Sequence, residues 1–360
     1  MDRSATDGHR GAQYRSGAVF GWDVGGAHVK AARLEGGRLV DAAQWPCPLW
    51  QGLDHLRAVL ALAATRWPDL AHGAHAVTMT GEMVDLFADR EDGVRRIGAL
   101  LAETLPAPRC FAGDRFVDLP EAGAHWRAIA SANWRATARH VALALAPAAG
   151  MLVDIGSTTT DLIAFRDGQV LGTSRTDADR LASGEQVYHG VVRTPLCALG
   201  PRIAWQGRAL NVMNEFFATT ADVYRLTGEL DPAHDQQPSA DGQAKDTAHT
   251  EARLARMVGL DARDGSADDW QAFARAWRER QRAELRANLD RVAAAHGLGA
   301  DAVAVAAGCG GFLVDALVPG AWQRRDYGRD IVGATGALAG WAAVGAPAVA
   351  TASLFLRERG

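Results

Sequence analysis

Two segments of the chain repeat one pattern of apolar and polar positions. The first, "AVFGWDVGGAHVKAARLEGGRLVDAAQW", has apolar runs that flank Gly25-Gly26 and then Gly36-Gly37. The second, "GMLVDIGSTTTDLIAFRDGQVLGTSRT", has apolar runs that flank Gly156 and then Asp167-Gly168. Gly-Gly and Asp-Gly between apolar runs are signals of tight hairpin turns. Each segment therefore predicts a β-hairpin that carries Asp-x-Gly at its first turn.

The two predicted hairpins are separated by the length of a domain, since Asp23 and Asp154 lie about 130 residues apart. This repeat predicts an α/β protein of two related domains. Residues 17–147 with 326–355 are expected to form the first domain, and residues 148–325 the second. A mainly helical insertion is expected over about 180–299, because that stretch is longer than a crossover needs. The polar residues 1–16 are predicted to be a disordered lead-in.

Helical periodicity of apolar positions marks four further segments. They are "GLDHLRAVLALAATRW", "DGVRRIGALLAETLP", "ASANWRATARHVALALAP" and "DDWQAFARAWRERQRAELRANLDRVAAAHG". A helix is also expected over 211–224. "HAVTMTGEM" and residues 302–306 are expected to be strands, the second followed by a glycine run and a helix near Phe312. "LDPAHDQQPSADGQAKDTAHTE" is expected to be an exposed loop. The tail predicts a buried helix and a terminal segment, separated at Pro347.

Composition limits the classes of partner. Hydrophobic residues make up 48% of the chain and charged residues 22%, which allows a packed core. The formal net charge of -4 argues against nucleic acid or an anionic membrane as a partner. An apolar signal region and a run of about 20 apolar residues are both missing from the sequence, so a cytoplasmic protein without a membrane span is expected. The four cysteines are widely spaced and are expected to be free thiols: Cys47, Cys110, Cys197 and Cys309.

The chemistry of the two Asp-x-Gly turns suits a diphosphate. Glycine allows successive backbone N–H groups to point at one anion. Carboxylates would repel phosphate directly, so Asp23, Asp154 and Asp161 make sense if Mg²⁺ lies between them and the diphosphate. The alternative is that these Asp and Gly residues only form the hairpin turns and bind no ligand. The candidate diphosphate-binding residues are Gly25, Gly26, Ala27, Lys30, Gly156, Ser157, Thr158, Thr159, Thr160, Gly308, Gly310 and Gly311, and the candidate metal ligands are Asp23 and Asp154.

Other candidates rest on single residues. Glu82 follows a predicted strand and could act as a base, or it could be an ordinary loop carboxylate. Lys30 could reach a phosphate or face solvent, and Arg193 could clamp a carboxylate or lie at the surface. The histidines do not have the sequence spacing of metal ligands. They are expected to be surface residues or hydrogen-bonded residues without a special function.

The quoted motifs resemble those of the acetate and sugar kinase, Hsp70 and actin superfamily. "DVGG" resembles the first phosphate loop, "DIGSTTTD" the second, "AGCGGFL" the nucleotide-side glycine element, and "GATGALAG" the final connecting helix. Within this superfamily the chain is similar to hydantoinase/oxoprolinase-like proteins. The resemblance implies two related α/β domains with a cleft between them.

A narrower resemblance rests on eight segments in order. They are "GWDVGGAHVKAA", "VTMTGEMVDLF", "ASANWRATA", "VDIGSTTTDLI", "YHGVVRTPLCALG", "FFATTADVYRLTGEL", "SADG" and "EARLARMVGLD". The chain resembles the methanofuran-biosynthesis aryl-ether synthase family of methanogens and of methylotrophs with tetrahydromethanopterin-linked one-carbon transfer. The family reaction joins an aminomethylfuranmethyl diphosphate to the phenol of γ-glutamyltyramine and releases pyrophosphate.

This resemblance implies roles for individual residues. Asp23, Glu82, Asp154 and Asp161 would be catalytic, with Glu82 and Asp161 as candidates for the base or proton relay. The substrate contacts would come from Tyr188, Arg193 and Thr194. Mg²⁺ would be the cofactor, the partners would be small-molecule substrates, and a homo-oligomer is compatible with the sequence. Two alternatives stay open: an ATP-dependent kinase or amidohydrolase on the same fold, and a non-catalytic scaffold that responds to nucleotide.

Overall fold

The structure, a computed structural model, describes residues 17–359. The predicted lead-in over residues 1–16 lies outside the described residues. The described chain packs as two units. The first holds the residues up to Ala148, Phe165–Val170 and those from Asp326 onward, and the second holds Ala149–Ala164 and Leu171–Arg325.

Fourteen strands form three sheets within residues 17–359. The first unit has one six-stranded sheet in the order β3-β2-β1-β4-β5-β6. The second sheet runs β10-β8-β7-β13-β14 with β9 on β8, and β11 pairs with β12. The strands are β1 Val19–Val24, β2 His28–Glu35, β3 Arg38–Pro46, β4 Ala74–Met79, β5 Arg109–Phe111, β6 Phe116–Asp118, β7 Ala149–Ile155, β8 Thr160–Arg166, β9 Gln169–Val170, β10 Gln186–Val187, β11 Arg202–Trp205, β12 Arg208–Asn211, β13 Val303–Ala307 and β14 Gln323–Asp326.

Eleven α-helices lie in the same described part of the chain. They are α1 Asp54–Arg66, α2 Arg90–Thr104, α3 Trp126–Ile129, α4 Asn133–Leu145, α5 Asp177–Ser183, α6 Thr220–Leu226, α7 Thr247–Arg256, α8 Ala267–Ala295, α9 Val314–Leu317, α10 Gly336–Val344 and α11 Ala346–Arg359. The four long helices predicted from periodicity are confirmed as α1, α2, α4 and α8.

Both predicted hairpins are confirmed. In the first unit β1 pairs antiparallel with β2, so that Asp23 lies opposite Lys30, and β1 also pairs parallel with β4. In the second sheet β7 and β8 are neighbours, β9 folds back on β8 after the Asp167-Gly168 turn, and β13 lies parallel to β7. Because β13 brings Ala307 opposite Asp154, the glycine run after β13 meets the second Asp-x-Gly turn.

The tail of the chain differs from its prediction. The terminal segment is itself the buried helix, α11, which packs on β1, β2, β4 and α4. Pro347 lies in its first turn, where the missing N–H costs nothing. A side chain at Gly21 on β1 would overlap the carbonyl oxygen of Ala348, so glycine allows this close packing. Within residues 17–359, no single helix is long and apolar enough to cross a membrane, and only α10 and α11, bent by 90°, reach that length together.

Three local predictions in the second unit are confirmed only in part. The expected helix over 211–224 is the end of β12, a loop and the short α6, because the Thr219 and Asp222 capping box starts the helix late. The helix expected near Phe312 is one 3₁₀ turn followed by the four residues of α9. The expected exposed loop turns helical from Thr247, and the buried Arg253 of α7 donates to Asp241 within it.

The long helix α8 supplies much of the second core. Its start is capped by Ser266 and Asp269 in a capping box. One stripe of the helix is buried: Trp270, Phe273, Ala274, Trp277, Gln281, Leu285, Leu289, Val292 and Ala293. The spacing of three and four residues places these side chains on a single face. The four cysteines are free thiols, as predicted.

Candidate active site

The first Asp-x-Gly turn joins β1 to β2 in the first unit. The Gly25 N–H donates to the carbonyl of His28 across 3.0 Å, which closes the turn. A Cβ atom on Gly25 would lie 2.8 Å from that same carbonyl, and one on Gly26 would lie 2.7 Å from Val84 Cγ1. The close packing of the turn therefore explains why both positions are glycine, without any need for a ligand.

Asp23 lies at the end of β1, buried beside this turn, with 4% of its surface exposed. The Lys30 ammonium lies 3.9 Å from one carboxylate oxygen. The side-chain amide of Asn133 donates to the other across 3.5 Å. Lys30 therefore reaches the carboxylate of the first turn, with its side chain only 20% exposed.

Glu82 is buried in the 3₁₀ turn Gly81–Met83 that follows β4. Its Oε1 accepts a hydrogen bond from Ser131 across 3.0 Å. Gly93 of α2 packs so closely on the Glu82 backbone that a Cβ atom there would lie 2.5 Å from the Glu82 carbonyl oxygen. Burial raises the pKa of the Cys110 thiol, and the nearby charge of Glu82 raises it further. Glu82 is thus a core carboxylate that holds Ser131.

Ser131 and Asn133 belong to this cluster, although sequence reasoning had not named them as functional. Asn133 is the first residue of α4, whereas Ser131 lies between α3 and α4 and adopts a φ of 53°. Such a backbone is rare for a residue with a side chain and is retained where the surroundings demand it. The signal in the sequence was the polar "ASAN" step between two helical patterns.

The second Asp-x-Gly turn joins β7 to β8 in the second unit, and its carbonyls face the segment that follows β10. Gly156 O accepts from the Val191 N–H at 3.0 Å, and Ser157 O accepts from the Val192 and Arg193 N–H groups at 3.1 and 2.8 Å. Within the described chain, the N–H groups of Ser157, Thr158 and Thr159 have no backbone acceptor. These three amides are therefore donors that can serve an anion.

The glycine run after β13 packs on the strand that carries Asp154. A Cβ atom on Gly308, whose φ is 78°, would lie 2.6 Å from Asp154 Oδ1. The Gly310 N–H donates to the Ile155 carbonyl across 2.8 Å. Gly311 has room for a side chain, since its nearest contact would be 3.9 Å away. The structure thus brings Gly308 and Gly310 to the second turn, where close packing accounts for both.

Asp161 on β8 forms an ion pair with Arg180 of α5. Arg180 is almost fully buried and also lies 3.4 Å from Asp177. Two carboxylates therefore share one buried guanidinium. This partner of Asp161 was not anticipated from the sequence, because Arg180 reads there as an ordinary polar position of a short amphipathic helix.

The segment Tyr188–Thr194 divides into exposed and buried parts. Tyr188 is 60% exposed, whereas Thr194 is buried and its hydroxyl both accepts from the Gly190 N–H and donates to the Gly190 carbonyl. Arg193 donates to Thr158 Oγ1 across 3.4 Å. Burial holds the pKa of the Arg193 guanidinium below its usual value, with Tyr188 opposing the shift. Thr194 shapes the segment, and Arg193 adds positive charge beside the second turn.

Asp23 or Asp154 could hold a divalent cation only if water or substrate phosphate oxygens supply its remaining ligands. Within residues 17–359, no group of three or more His, Cys, Asp or Glu side chains could hold a metal ion. Mg²⁺ commonly takes one or two protein carboxylates and completes its shell with water and phosphate oxygens. Asp23 and Asp154 each end an apolar strand beside a turn, and a single carboxylate of this kind suits that mode.

Comparison with known proteins identifies the family. The hydantoinase/oxoprolinase family matches residues 74–321. The chain is 30% identical over 282 residues to (4-{4-[2-(gamma-L-glutamylamino)ethyl]phenoxymethyl}furan-2-yl)methanamine synthase of Methanocaldococcus jannaschii, which covers 78% of this chain and 83% of the relative. The chain belongs to the methanofuran-biosynthesis aryl-ether synthase family. This confirms the resemblance carried by the eight segments.

Two further comparisons concern the family and the fold, respectively. A synthase of the same name from Methanococcus vannielii is 34% identical over 119 residues, which cover 33% of this chain and 53% of the relative. A nucleotide-free structure of acetone carboxylase aligns with a TM-score of 0.54 at 12% identity, covering 93% of this chain and 70% of that one. The structural likeness concerns the fold alone, and it agrees with the predicted α/β fold class.

Proposed function

We propose that this protein is an alkyl transferase of methanofuran biosynthesis. It condenses an aminomethylfuranmethyl diphosphate with the phenol oxygen of γ-glutamyltyramine, forms an aryl ether and releases pyrophosphate. The observation that carries this proposal is the 30% identity, over 78% of the chain, to a synthase whose printed name describes this phenoxymethylfuran product. The donor-rich second turn adds chemical support.

The second turn is suited to the diphosphate end of the first substrate. The amides of Ser157, Thr158 and Thr159, whose carbonyl side faces Val191–Arg193, would donate to the diphosphate oxygens. Donors held in place where negative charge develops lower the barrier, because they need no reorganisation as the C–O bond breaks. Mg²⁺, when bound with Asp23 or Asp154, would neutralise the departing pyrophosphate.

The phenol must lose its proton as the ether forms, and an unperturbed phenol has a pKa near ~10. Asp161 is the weaker candidate base, because it is held by the buried Arg180 guanidinium. Glu82 Oε1 accepts a hydrogen bond from the neutral Ser131 hydroxyl, and the side chain is buried just after β4, the strand that neighbours β1. We assign the role of base or proton relay to Glu82, and a charge-positioning role to Asp161.

Arg193 and Tyr188 would contribute to substrate selection. The Arg193 guanidinium lies beside the second turn through Thr158, and its fork suits a carboxylate or a phosphate. The exposed ring of Tyr188 could pack on an aromatic substrate. Thr194 is buried with its hydroxyl bonded to Gly190, so its contribution would be to hold the segment in shape.

A direct assay tests the proposal. Purified protein with Mg²⁺, furanmethyl diphosphate and γ-glutamyltyramine should release pyrophosphate and give the ether, detected by mass, in equal amounts. The matched control omits γ-glutamyltyramine, and pyrophosphate release should then fall sharply. Folded protein that forms no ether would contradict the proposal.

The competing reading, an ATP-dependent enzyme on the same fold, draws on the hydantoinase/oxoprolinase match over residues 74–321. Thermal shift separates the two readings, because a ligand that binds only the folded state raises the melting temperature. Pyrophosphate with Mg²⁺ should stabilise the protein. Stabilisation by ATP with Mg²⁺, and none by pyrophosphate with Mg²⁺, would favour the ATP-dependent reading.

A further inference from the structure

Gln281 is the polar member of the buried stripe of α8. Its neighbours on that stripe include Trp277 and Leu285, and only 1% of its own surface is exposed. Burying a side-chain amide among apolar residues costs free energy unless its polar atoms are hydrogen-bonded. A glutamine at this position therefore needs partners, and it has them.

Both ends of the Gln281 amide are bonded. Its Oε1 accepts from the hydroxyl of Tyr224 across 2.7 Å, and its Nε2 donates to the carbonyl of Gly190 across 2.9 Å. Tyr224 is fully buried, and burial raises the pKa of its phenol, so the hydroxyl stays protonated and donates. This donation fixes the orientation of the amide, since the amide oxygen must face Tyr224 and the amide nitrogen must face Gly190.

Gly190 is held from three sides. Besides Gln281, its carbonyl accepts from the hydroxyls of Thr194 and Thr220, at 3.2 and 2.9 Å. Its own N–H donates to the Thr194 hydroxyl across 2.8 Å. Within the second unit, this residue is therefore fixed by α8, by α6 and by its own segment.

Gly190 also lies directly against the second turn. A Cβ atom added to Gly190 would overlap the peptide bond between Ser157 and Thr158, so only glycine fits there. The next three residues, Val191 to Arg193, donate to the carbonyls of Gly156 and Ser157. Because the C=O and N–H groups of a trans peptide point in opposite directions, the N–H groups of Ser157 and Thr158 face away from this segment.

We propose that Gln281 is a positioning residue for the diphosphate, acting through Gly190 on the Ser157–Thr159 amides. The helical insertion thereby sets the geometry of the second turn, although Gln281 itself does not touch substrate. The identity of the anion rests on the proposed function, whereas the dependence of the turn on Gln281 rests on the contacts alone.

The substitution Gln281→Glu tests this role. It keeps the size of the side chain and the acceptor for Tyr224 but removes the donor to Gly190 and places an oxygen against its carbonyl. Gln271→Glu is the matched control, because Gln271 lies on the same helix and its Nε2 donates to another backbone carbonyl, that of Leu226, at 2.6 Å. Tyr224→Phe is the conservative second variant, since it removes only the hydroxyl that orients the amide.

Three measurements apply to each variant. Calorimetric titration with Mg²⁺ and inorganic pyrophosphate should show at least tenfold weaker binding for Gln281→Glu, a smaller loss for Tyr224→Phe and no change for Gln271→Glu. The rate of amide hydrogen exchange of residues 156–160 in the free protein should rise most in Gln281→Glu, less in Tyr224→Phe and not at all in Gln271→Glu. In the condensation assay, kcat/KM for the furanmethyl diphosphate should fall about 10- to 100-fold, since small misplacement of donors has effects of this size. KM for γ-glutamyltyramine should not change.

The outcomes separate this proposal from the proposed reaction. Failure to form the ether, with pyrophosphate binding that still depends on Gln281, would refute the reaction and support the positioning role. Unchanged pyrophosphate affinity and unchanged exchange in Gln281→Glu would overturn the positioning role. So would a wild-type protein that binds no pyrophosphate with Mg²⁺, or equal losses in Gln281→Glu and Gln271→Glu.

Discussion

Asn133 donates its side-chain amide to the Asp23 carboxylate across 3.5 Å, although 110 residues separate the two in the chain. Asn133 is the first residue of α4, and its own Oδ1 accepts from the Trp134 N–H at 2.7 Å. The side chain is therefore held at both ends. This contact orients the carboxylate of the first turn, together with the Lys30 ammonium.

Substitution of Asn133 by Ala should weaken catalysis modestly. A hydrogen bond to a charged group contributes about 1.5–3 kcal/mol, and this long one should lie at the low end, which corresponds to roughly a tenfold loss in kcat/KM. Steady-state kinetics at several Mg²⁺ concentrations would measure it. Asn288→Ala is the control, because the Asn288 amide donates to Glu284 within the same helix, and it should leave kcat/KM unchanged. Equal activity of Asn133→Ala and wild type would exclude this positioning role.

Substitution of Asp154 by Asn should abolish most activity while the protein stays folded. The change removes the negative charge beside the second turn but keeps the shape of a side chain that packs near Gly308. We expect a loss of about 100-fold or more, in the range found when a charge-stabilising group is removed. Circular dichroism and condensation kinetics would be compared.

Asp167→Asn is the control for Asp154, because Asp167 is exposed in the next turn, between β8 and β9, with a φ of 52° that asparagine tolerates. This variant should be fully active. Loss of folded structure in Asp154→Asn would instead give Asp154 a structural role.

Arg180 should be essential for stability. Replacing it with Met leaves the buried carboxylate of Asp177 and the mostly buried carboxylate of Asp161 without their shared guanidinium. Removal of one partner from a buried ion pair costs about 3–5 kcal/mol, which urea unfolding would measure. The exposed Arg175→Met is the control and should have little effect.

A rescue variant sharpens the result for Arg180. Adding Asp161→Asn and Asp177→Asn to Arg180→Met removes the uncompensated charges and should restore part of the lost stability. If Arg180→Met is stable, and Asp161→Asn alone stops ether formation, then Asp161 is the base and our assignment to Glu82 is wrong.

His75 should make the first unit sensitive to acid. Its Nδ1 accepts from the Trp22 indole at 3.1 Å and its Nε2 lies 3.0 Å from the Leu70 carbonyl, an arrangement that only the neutral ring satisfies. Burial lowers its pKa from 6.5 to about 4. The neutral ring's contribution is fully present above the unfolded pKa and is lost as pH falls from there toward the folded pKa.

The measurement for His75 is the free energy of unfolding at pH 6.5 and at pH 5. The wild type should lose about 1.5 kcal/mol more than His75→Gln between these values, since each pH unit well below the unfolded pKa is worth ~1.4 kcal/mol per group and the slope at pH 6.5 is half of that. His72→Gln, at an exposed position, should lose as much as the wild type. Equal losses in wild type and His75→Gln would show that His75 does not titrate in this way.

The local pattern of residues was enough to predict the main elements. Both hairpins, the four long helices and the β13 strand follow from turn dipeptides and apolar spacing, because these act over a few neighbouring residues. The short elements were predicted poorly. The stretch 211–224 has helical residues, but the capping box at Thr219 and tertiary packing leave only α6.

The candidate residues of both turns were likewise readable, since Asp-x-Gly carries its chemistry within one loop. The sequence could not reveal what those residues contact. Lys30 was expected to reach a phosphate or face solvent, and Asp161 was a candidate base. The structure pairs them with Asp23 and Arg180. Such partners depend on which strands and helices become neighbours, and that depends on the whole packed unit.

The sequence alone therefore determines the two strand–turn–strand units, their donor-rich loops and the family. Only tertiary structure decides which distant side chains hold those loops. Asn133 reaches Asp23 across 110 residues, and Gln281 reaches Gly190 across 91. The physical reason is that a turn is selected by the backbone preferences of its own residues, whereas a buried amide gains its partner only when desolvation forces distant polar groups to pair.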